Sequence, residues 1–135
     1  MASDRIRGDP KEKIAVLDSS AILMLFEFSI QLDDELMRLL GRCHIVVPKP
    51  VVRELQVLLE KGTGKKRRLA KPALKLIASY ESVDVDTKNG DDSVLLLAEK
   101  LHGAIVTNDR ELRLRAKKQF IPVVFLRGKQ VLCLE

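Results

Sequence analysis

Five short apolar runs, at residues 13–18, 44–47, 82–85, 104–107 and 122–126, alternate with longer stretches patterned as helices, at 20–28, 32–40, 49–61, 66–79, 91–101 and 109–118. Three of the runs are rich in β-branched residues and lack the polar alternation of a strand with one wet face. Such runs suit strands covered on both sides, and their regular alternation with helices specifies a parallel sheet. The expected fold is therefore α/β, a three-layer α/β/α sandwich around a mostly parallel sheet of about five strands. The punctuation agrees with these boundaries. Asp33-Asp34 opens a helix that stops at Gly41, and Pro48 and Pro50 fit the entry to the next. Gly62-Thr63-Gly64 ends that helix, Asn89-Gly90 turns the chain before Asp91-Asp92, and Gly103 closes the helix that follows. Pro72 interrupts the fourth helical pattern, so that helix is expected to start near Lys71 or to kink there.

A chain of 135 residues is one domain, large enough to bury a core without disulfides. Residues 1–12 are polar, contain Gly8 and Pro10, and read as a flexible amino-terminal tail, which leaves 13–135 as the domain. Cys43 and Cys133 lie in or beside apolar runs without metal-ligand or redox spacing, and read as reduced thiols of a cytoplasmic protein. The apolar stretch from Ile14 to Phe28 is broken by Asp18 and is not a signal sequence, and no stretch is long enough to span a membrane. Aromatic residues make up only 4% of the chain, which argues against a platform for stacking many bases.

Four acids stand where strands hand over to helices or near helix starts. Asp18 ends the run Ile14-Ala15-Val16-Leu17, and Asp109 follows Ala104-Ile105-Val106-Thr107-Asn108. If these are neighbouring parallel strands, both carboxylates emerge at one sheet edge, where open α/β sheets bind ligands. Asp92 lies in the first turn of the helix leading to the second of these strands. Singly, Asp92 and Asp109 are explained as helix caps. Glu54 sits at the margin of the Val51-Leu55-Leu58 stripe, where a carboxylate needs a partner, either a neighbouring cation or a shared metal site. Clustered acids raise one another's pKa unless a cation holds them together. Oxygen-only ligands suit Mg²⁺ or Mn²⁺, one ion or two, and two such ions can activate water and clamp a phosphodiester. The excess of 24 Lys and Arg over 19 Asp and Glu, in a chain that also concentrates acids in one place, fits a polyanionic substrate and a bound metal.

The motifs Asp18-Ser19-Ser20-Ala21, Val52-Arg53-Glu54-Leu55, Gly90-Asp91-Asp92-Ser93-Val94-Leu95 and Val106-Thr107-Asn108-Asp109 resemble, in order and approximate spacing, those of PIN-domain nucleases. The match runs from Lys13 to about Lys129. The segment from Gly62 to Arg68 and the ending from Pro122 to Gly128 look most like single-domain archaeal members, which are similar to the rRNA-processing PIN nucleases of the small-subunit processome. VapC-type toxins are relatives of the same size. The resemblance implies a metal-dependent endoribonuclease with Asp18, Glu54, Asp92 and Asp109 as catalytic and metal-binding acids and Asp91 as the alternative to Asp92. Ser20 and Thr107 match hydroxyl positions that support the first and last aspartates. It also implies an RNA substrate, a homodimer, and either a ribosome-assembly factor or an antitoxin as partner.

Two basic runs could hold RNA phosphates or be solvated faces: Lys65-Lys66-Arg67-Arg68 with Lys71, and Arg110, Arg113, Arg115, Lys117 and Lys118. His44 and His102 read as structural. The basic run and the carboxyl-terminal resemblance lean toward rRNA processing in ribosome biogenesis over a toxin role. The competing classes are a non-catalytic RNA-binding scaffold and a phosphoacceptor receiver domain, whose early acid pair and late lysine are absent. A phosphatase is disfavoured by Ser20, which stands where a second nucleophile-motif aspartate would be.

Overall fold

The computed structural model describes residues 12–128 and 131–135; the expected amino-terminal tail lies almost entirely outside them. The elements are β1 Lys13–Leu17, α1 Ser19–Glu27, α2 Leu32–Leu40, β2 Cys43–Pro48, α3 Lys49–Lys61, α4 Gly64–Ile77, β3 Glu81–Val83, α5 Gly90–Leu101, β4 Ala104–Val106, α6 Arg110–Lys118, β5 Val123–Arg127 and β6 Val131–Leu134. The strands form one sheet in the order β3-β2-β1-β4-β5-β6, parallel except for β6, which pairs antiparallel with β5.

Consecutive residues Ala15, Val16 and Leu17, and again Ile105 and Val106, are fully shielded from solvent, as strands covered on both faces require. Val16 lies between Val46 on one side and Ile105 on the other. The chain leaves β1 toward β2 and leaves β4 toward β5, in opposite directions across the sheet. The gap between β1 and β4 is therefore the switch point at which open α/β sheets form a crevice. Gly103 allows this close pairing, because a side chain there would press on the carbonyl oxygen of Ile14 at 2.8 Å.

The structure corrects the expected fold in two places. The sheet has six strands, the extra one being Val131–Leu134. On its outer edge, the backbone N–H of Leu132 donates to Glu35 (3.0 Å), and Arg38 donates to the Leu132 carbonyl (2.7 Å). The α2 ion pair thus occupies backbone groups that an edge strand otherwise leaves unpaired. The fourth helix starts at Gly64, not near Lys71, and includes Pro72. The hydrogen bond Pro72 cannot donate would have ended on the carbonyl of Arg68, an exposed residue that water can serve.

Candidate functional site

Asp18 is the residue that leaves β1, and it is 3% exposed. A carboxylate so deep needs donors, and the fold supplies two. Ser20 Oγ and Thr107 Oγ1 each donate to Asp18 Oδ2 at 2.6 Å. Each hydroxyl has spent its one proton there and can only accept elsewhere. Ser20 Oγ accepts the N–H of Asn108 (3.2 Å), and Thr107 Oγ1 accepts the N–H of Asp109 (3.0 Å). This closed set of bonds ties the end of β1 to the loop after β4, with the N–H of Asp18 bonded to the Val106 carbonyl at 3.1 Å. It leaves Asp18 Oδ1 without a hydrogen bond among the described residues.

Asp109 caps α6, its Oδ1 accepting the N–H groups of Glu111 (2.8 Å) and Leu112 (3.2 Å). Its second oxygen is left for other work. The cap of α5 is not Asp92 but Asn89, whose Oδ1 accepts from the N–H groups of Asp91 (2.8 Å) and Asp92 (3.3 Å). That cap sets the rotation of the first turn and separates the two aspartates. Asp91 lines a recess of about 490 Å³ together with Asp18, Glu54, Asp109 and Lys88. Asp92 does not line it, and pairs instead with Arg115 at 2.6 Å.

Glu54 reaches this recess from α3. Its side chain is exposed overall, but its carboxylate end lies against Gly90, where any Cβ would overlap it. Ser19 Oγ donates to it at 3.4 Å, and among the described residues no cation pairs with it. Burial, then the charges of Asp18 and Asp91, push the Glu54 pKa up, outweighing the Ser19 bond. Burial followed by the charges of Asp18 and Asp109 likewise raises Asp91, against the opposing pull of Arg115. A carboxyl held above its unfolded pKa binds its proton more tightly in the folded state, so the folded protein loses stability as pH rises through that value. Glu54→Gln should therefore stabilise the metal-free protein at pH 7, by a few tenths of a kcal/mol because solvent reaches the recess. The gain should disappear by about pH 4, near the ordinary glutamate pKa. Thermal melts at the two pH values check this.

Among the described residues, no group of three or more His, Cys, Asp or Glu side chains is arranged to hold a metal ion. The donor chemistry nevertheless fits a hard divalent cation. Four carboxylates border one recess without His or Cys, and their mutual repulsion is what such an ion relieves. The basic residues separate into two kinds. Lys65 pairs with Glu27, Arg67 donates to the Leu59 carbonyl, and Arg113 lies over the Phe125 ring at 3.8 Å while pairing with Glu135. Lys66, Arg68 and Arg110 are exposed, without an ion pair among the described residues. Sequence reasoning missed Lys88, which lines the recess, and Asn89, the α5 cap. The Asn-Gly turn ahead of Asp91 was the available signal for both.

Residues 15–129 match a family model described as a PIN like domain. The chain is 33% identical over 127 residues to ribonuclease VapC9 of Archaeoglobus fulgidus, covering 94% of this chain and 92% of that protein. It is 32% identical to ribonuclease VapC4 of Methanocaldococcus jannaschii over 119 residues, 85% of this chain and 91% of the relative. The structure of the PIN domain endonuclease Utp24 superposes with a TM-score of 0.77 at 21% identity, over 94% of this chain and 93% of that one.

Proposed function

This chain belongs to the PIN-like domain family, and on that premise we propose that it is a divalent-metal-dependent endoribonuclease hydrolysing RNA phosphodiester bonds. The observation that carries this reading is the meeting of Asp18, Glu54, Asp91 and Asp109 at one recess on the switch-point edge of the sheet. The ribonuclease names of its two archaeal relatives support it. When bound, Mg²⁺ or Mn²⁺ supplies charge neutralisation on the phosphate and a more acidic water. Asp18 Oδ1 and the second oxygen of Asp109 are the oxygens that would hold it, each fixed by the hydrogen bonds of its partner oxygen. Asp91 would complete the set in place of Asp92. Glu54, with its carboxylate against Gly90 at the same recess, is the group suited to orient the attacking water and take its proton.

Two biological roles share this chemistry. The exposed cations Lys66, Arg68 and Arg110 suit a processing nuclease that grips structured RNA in ribosome biogenesis, with a ribosome-assembly factor as partner. The names of the two relatives favour the second role, a toxin held by an antitoxin.

Purified protein should cleave RNA with Mg²⁺ or Mn²⁺ and stop in excess chelator. Cleavage undiminished by chelator would sink the metal-dependent reading. Induced expression without a partner separates the two roles, because a toxin arrests growth whereas a processing enzyme alters rRNA ends without arrest.

A further inference from the structure

We propose that the exposed side of α6, from Arg110 next to Asp109 to Phe120 just past the helix end, is a second RNA-binding surface that carries the strand away from the cut and holds one of its bases against Phe120. The proposal rests on the endoribonuclease reading and adds a contact remote from the acid recess.

Phe120 serves neither the conformation of its turn nor the core. It is 93% exposed, and its backbone is left-handed, with φ +59°. It directly follows Gln119, the residue that ends α6. The N–H of Phe120 donates to the Lys117 carbonyl (3.1 Å), and the N–H of Ile121 donates to the Ala116 carbonyl (2.9 Å). This pair of bonds is the Schellman termination, whose left-handed residue is usually glycine because a Cβ is strained there. The buried side chain of the turn is Ile121, not Phe120. An exposed apolar residue is ordinary by itself, but one held on a strained backbone is a candidate for function.

The surface that leads to Phe120 is basic. Leu112 and Ala116 are the buried side of α6, so Arg110, Leu114 and Lys117, at i, i+4 and i+7, share the opposite side. Leu114 is 51% exposed, and Arg110, Lys117 and Lys118 are exposed without an ion pair among the described residues. Glu135 borders a groove with Lys117, Phe120 and Ile121, but its carboxylate is held by Arg113. At about 1.5 Å per residue, Phe120 lies roughly 16 Å along the helix from Asp109, the span of about five stacked nucleotides. Cations in a line that ends on an exposed ring match phosphates followed by a base. A second copy of this chain is the rival occupant. Two copies joined here would set Lys117 and Lys118 against their own like charges, which favours the polyanion.

The test uses the full chain. Phe120→Gly should raise the melting temperature, because glycine suits the left-handed turn, whereas a merely structural phenylalanine would lower it on removal. In the non-cutting Asp18→Asn protein it should weaken binding of an unstructured RNA of about 12 nucleotides about tenfold, as the loss of one stacked base does. Phe120→Trp should keep that binding. In otherwise unaltered protein, Phe120→Gly should raise KM for the same RNA and leave kcat unchanged. An RNA of about 4 nucleotides, too short to span from the acids to Phe120, should be cut as by the parent. Replacing Lys117 and Lys118 by alanine should lower the slope of log affinity against log salt by about 1.4. If the glycine and alanine variants bind and cut the long RNA like the parent, the α6 proposal is overturned while the nuclease reading stands. A parent dimer that Phe120→Gly dissociates with RNA binding unchanged assigns the surface to a second copy and also overturns it. Phe120-dependent RNA binding without cleavage of any RNA in Mg²⁺ or Mn²⁺ keeps the α6 surface and overturns the nuclease reading.

Discussion

Asp18→Asn should reduce RNA cleavage by at least about 10²-fold, the scale expected when one preorganised charge is removed from a phosphoryl-transfer site, while the protein stays folded. Folding survives because the asparagine Oδ1 can still accept both hydroxyl bonds that Ser20 and Thr107 now make to Asp18 Oδ2. What is lost is the negative charge and the oxygen not used by that clamp. Asp18→Ala provides the contrast. It removes the acceptor shared by the buried Thr107 hydroxyl and the half-buried Ser20 hydroxyl, which should destabilise the protein by about 1–3 kcal/mol. Single-turnover cleavage and a thermal melt on both variants check the pair. The expected signature is two inactive proteins of which only the alanine variant melts early. Full cleavage activity in Asp18→Asn would remove Asp18 from the chemistry and overturn the proposed acid site.

The legibility of this chain in its sequence follows a physical line. The strands at the centre of the sheet were readable because burial on both faces leaves a continuous apolar run, as in Ile14–Leu17 and Ala104–Val106. The meeting of Asp18 and Asp109 followed from topology, since each sits just beyond the carboxyl end of one of two adjacent parallel strands. Edge elements were harder. In Val131–Leu134 only Leu132 is fully buried, and its partners Glu35 and Arg38 are nearly a hundred residues away, so the short apolar run alone did not mark it as a strand of the sheet. The start of α4 was hidden by Pro72, whose helix-breaking tendency counts for little where the vacated carbonyl belongs to an exposed residue. The basic runs looked uniform in sequence, yet Arg113 is occupied by Phe125 and Glu135 while Lys66 is not. Such differences depend on partners that only the folded chain supplies.

The adjacent aspartates of α5 show the same limit most sharply and give the second large effect: Asp91→Asn should cut cleavage by about 10²-fold, whereas Asp92→Asn should stay within about threefold of the parent protein. Consecutive residues of a helix point about 100° apart, so only one of the two can face a given recess. Sequence position favoured Asp92, from its place before Ser93-Val94-Leu95. The Asn89 cap fixes the phase differently, with Asp91 beside Asp18, Glu54 and Asp109 and with Asp92 turned to Arg115. Burial, and then the charges of Asp18 and Asp109, raise the pKa of Asp91, so neutralising it changes the electrostatics of the recess directly. Asp92 and Arg115 form a half-exposed pair, and such pairs contribute about 0–1 kcal/mol. Removing it should lower the melting temperature slightly and leave the recess intact. Arg115→Ala is the control: it frees Asp92 and weakens a cationic pull on Asp91 but keeps every recess carboxylate, and should leave cleavage close to the parent rate. Rates measured side by side on the three variants decide the assignment. Loss of activity in Asp92→Asn with retention in Asp91→Asn would reverse it, and would mean that α5 rotates when the site engages metal and RNA.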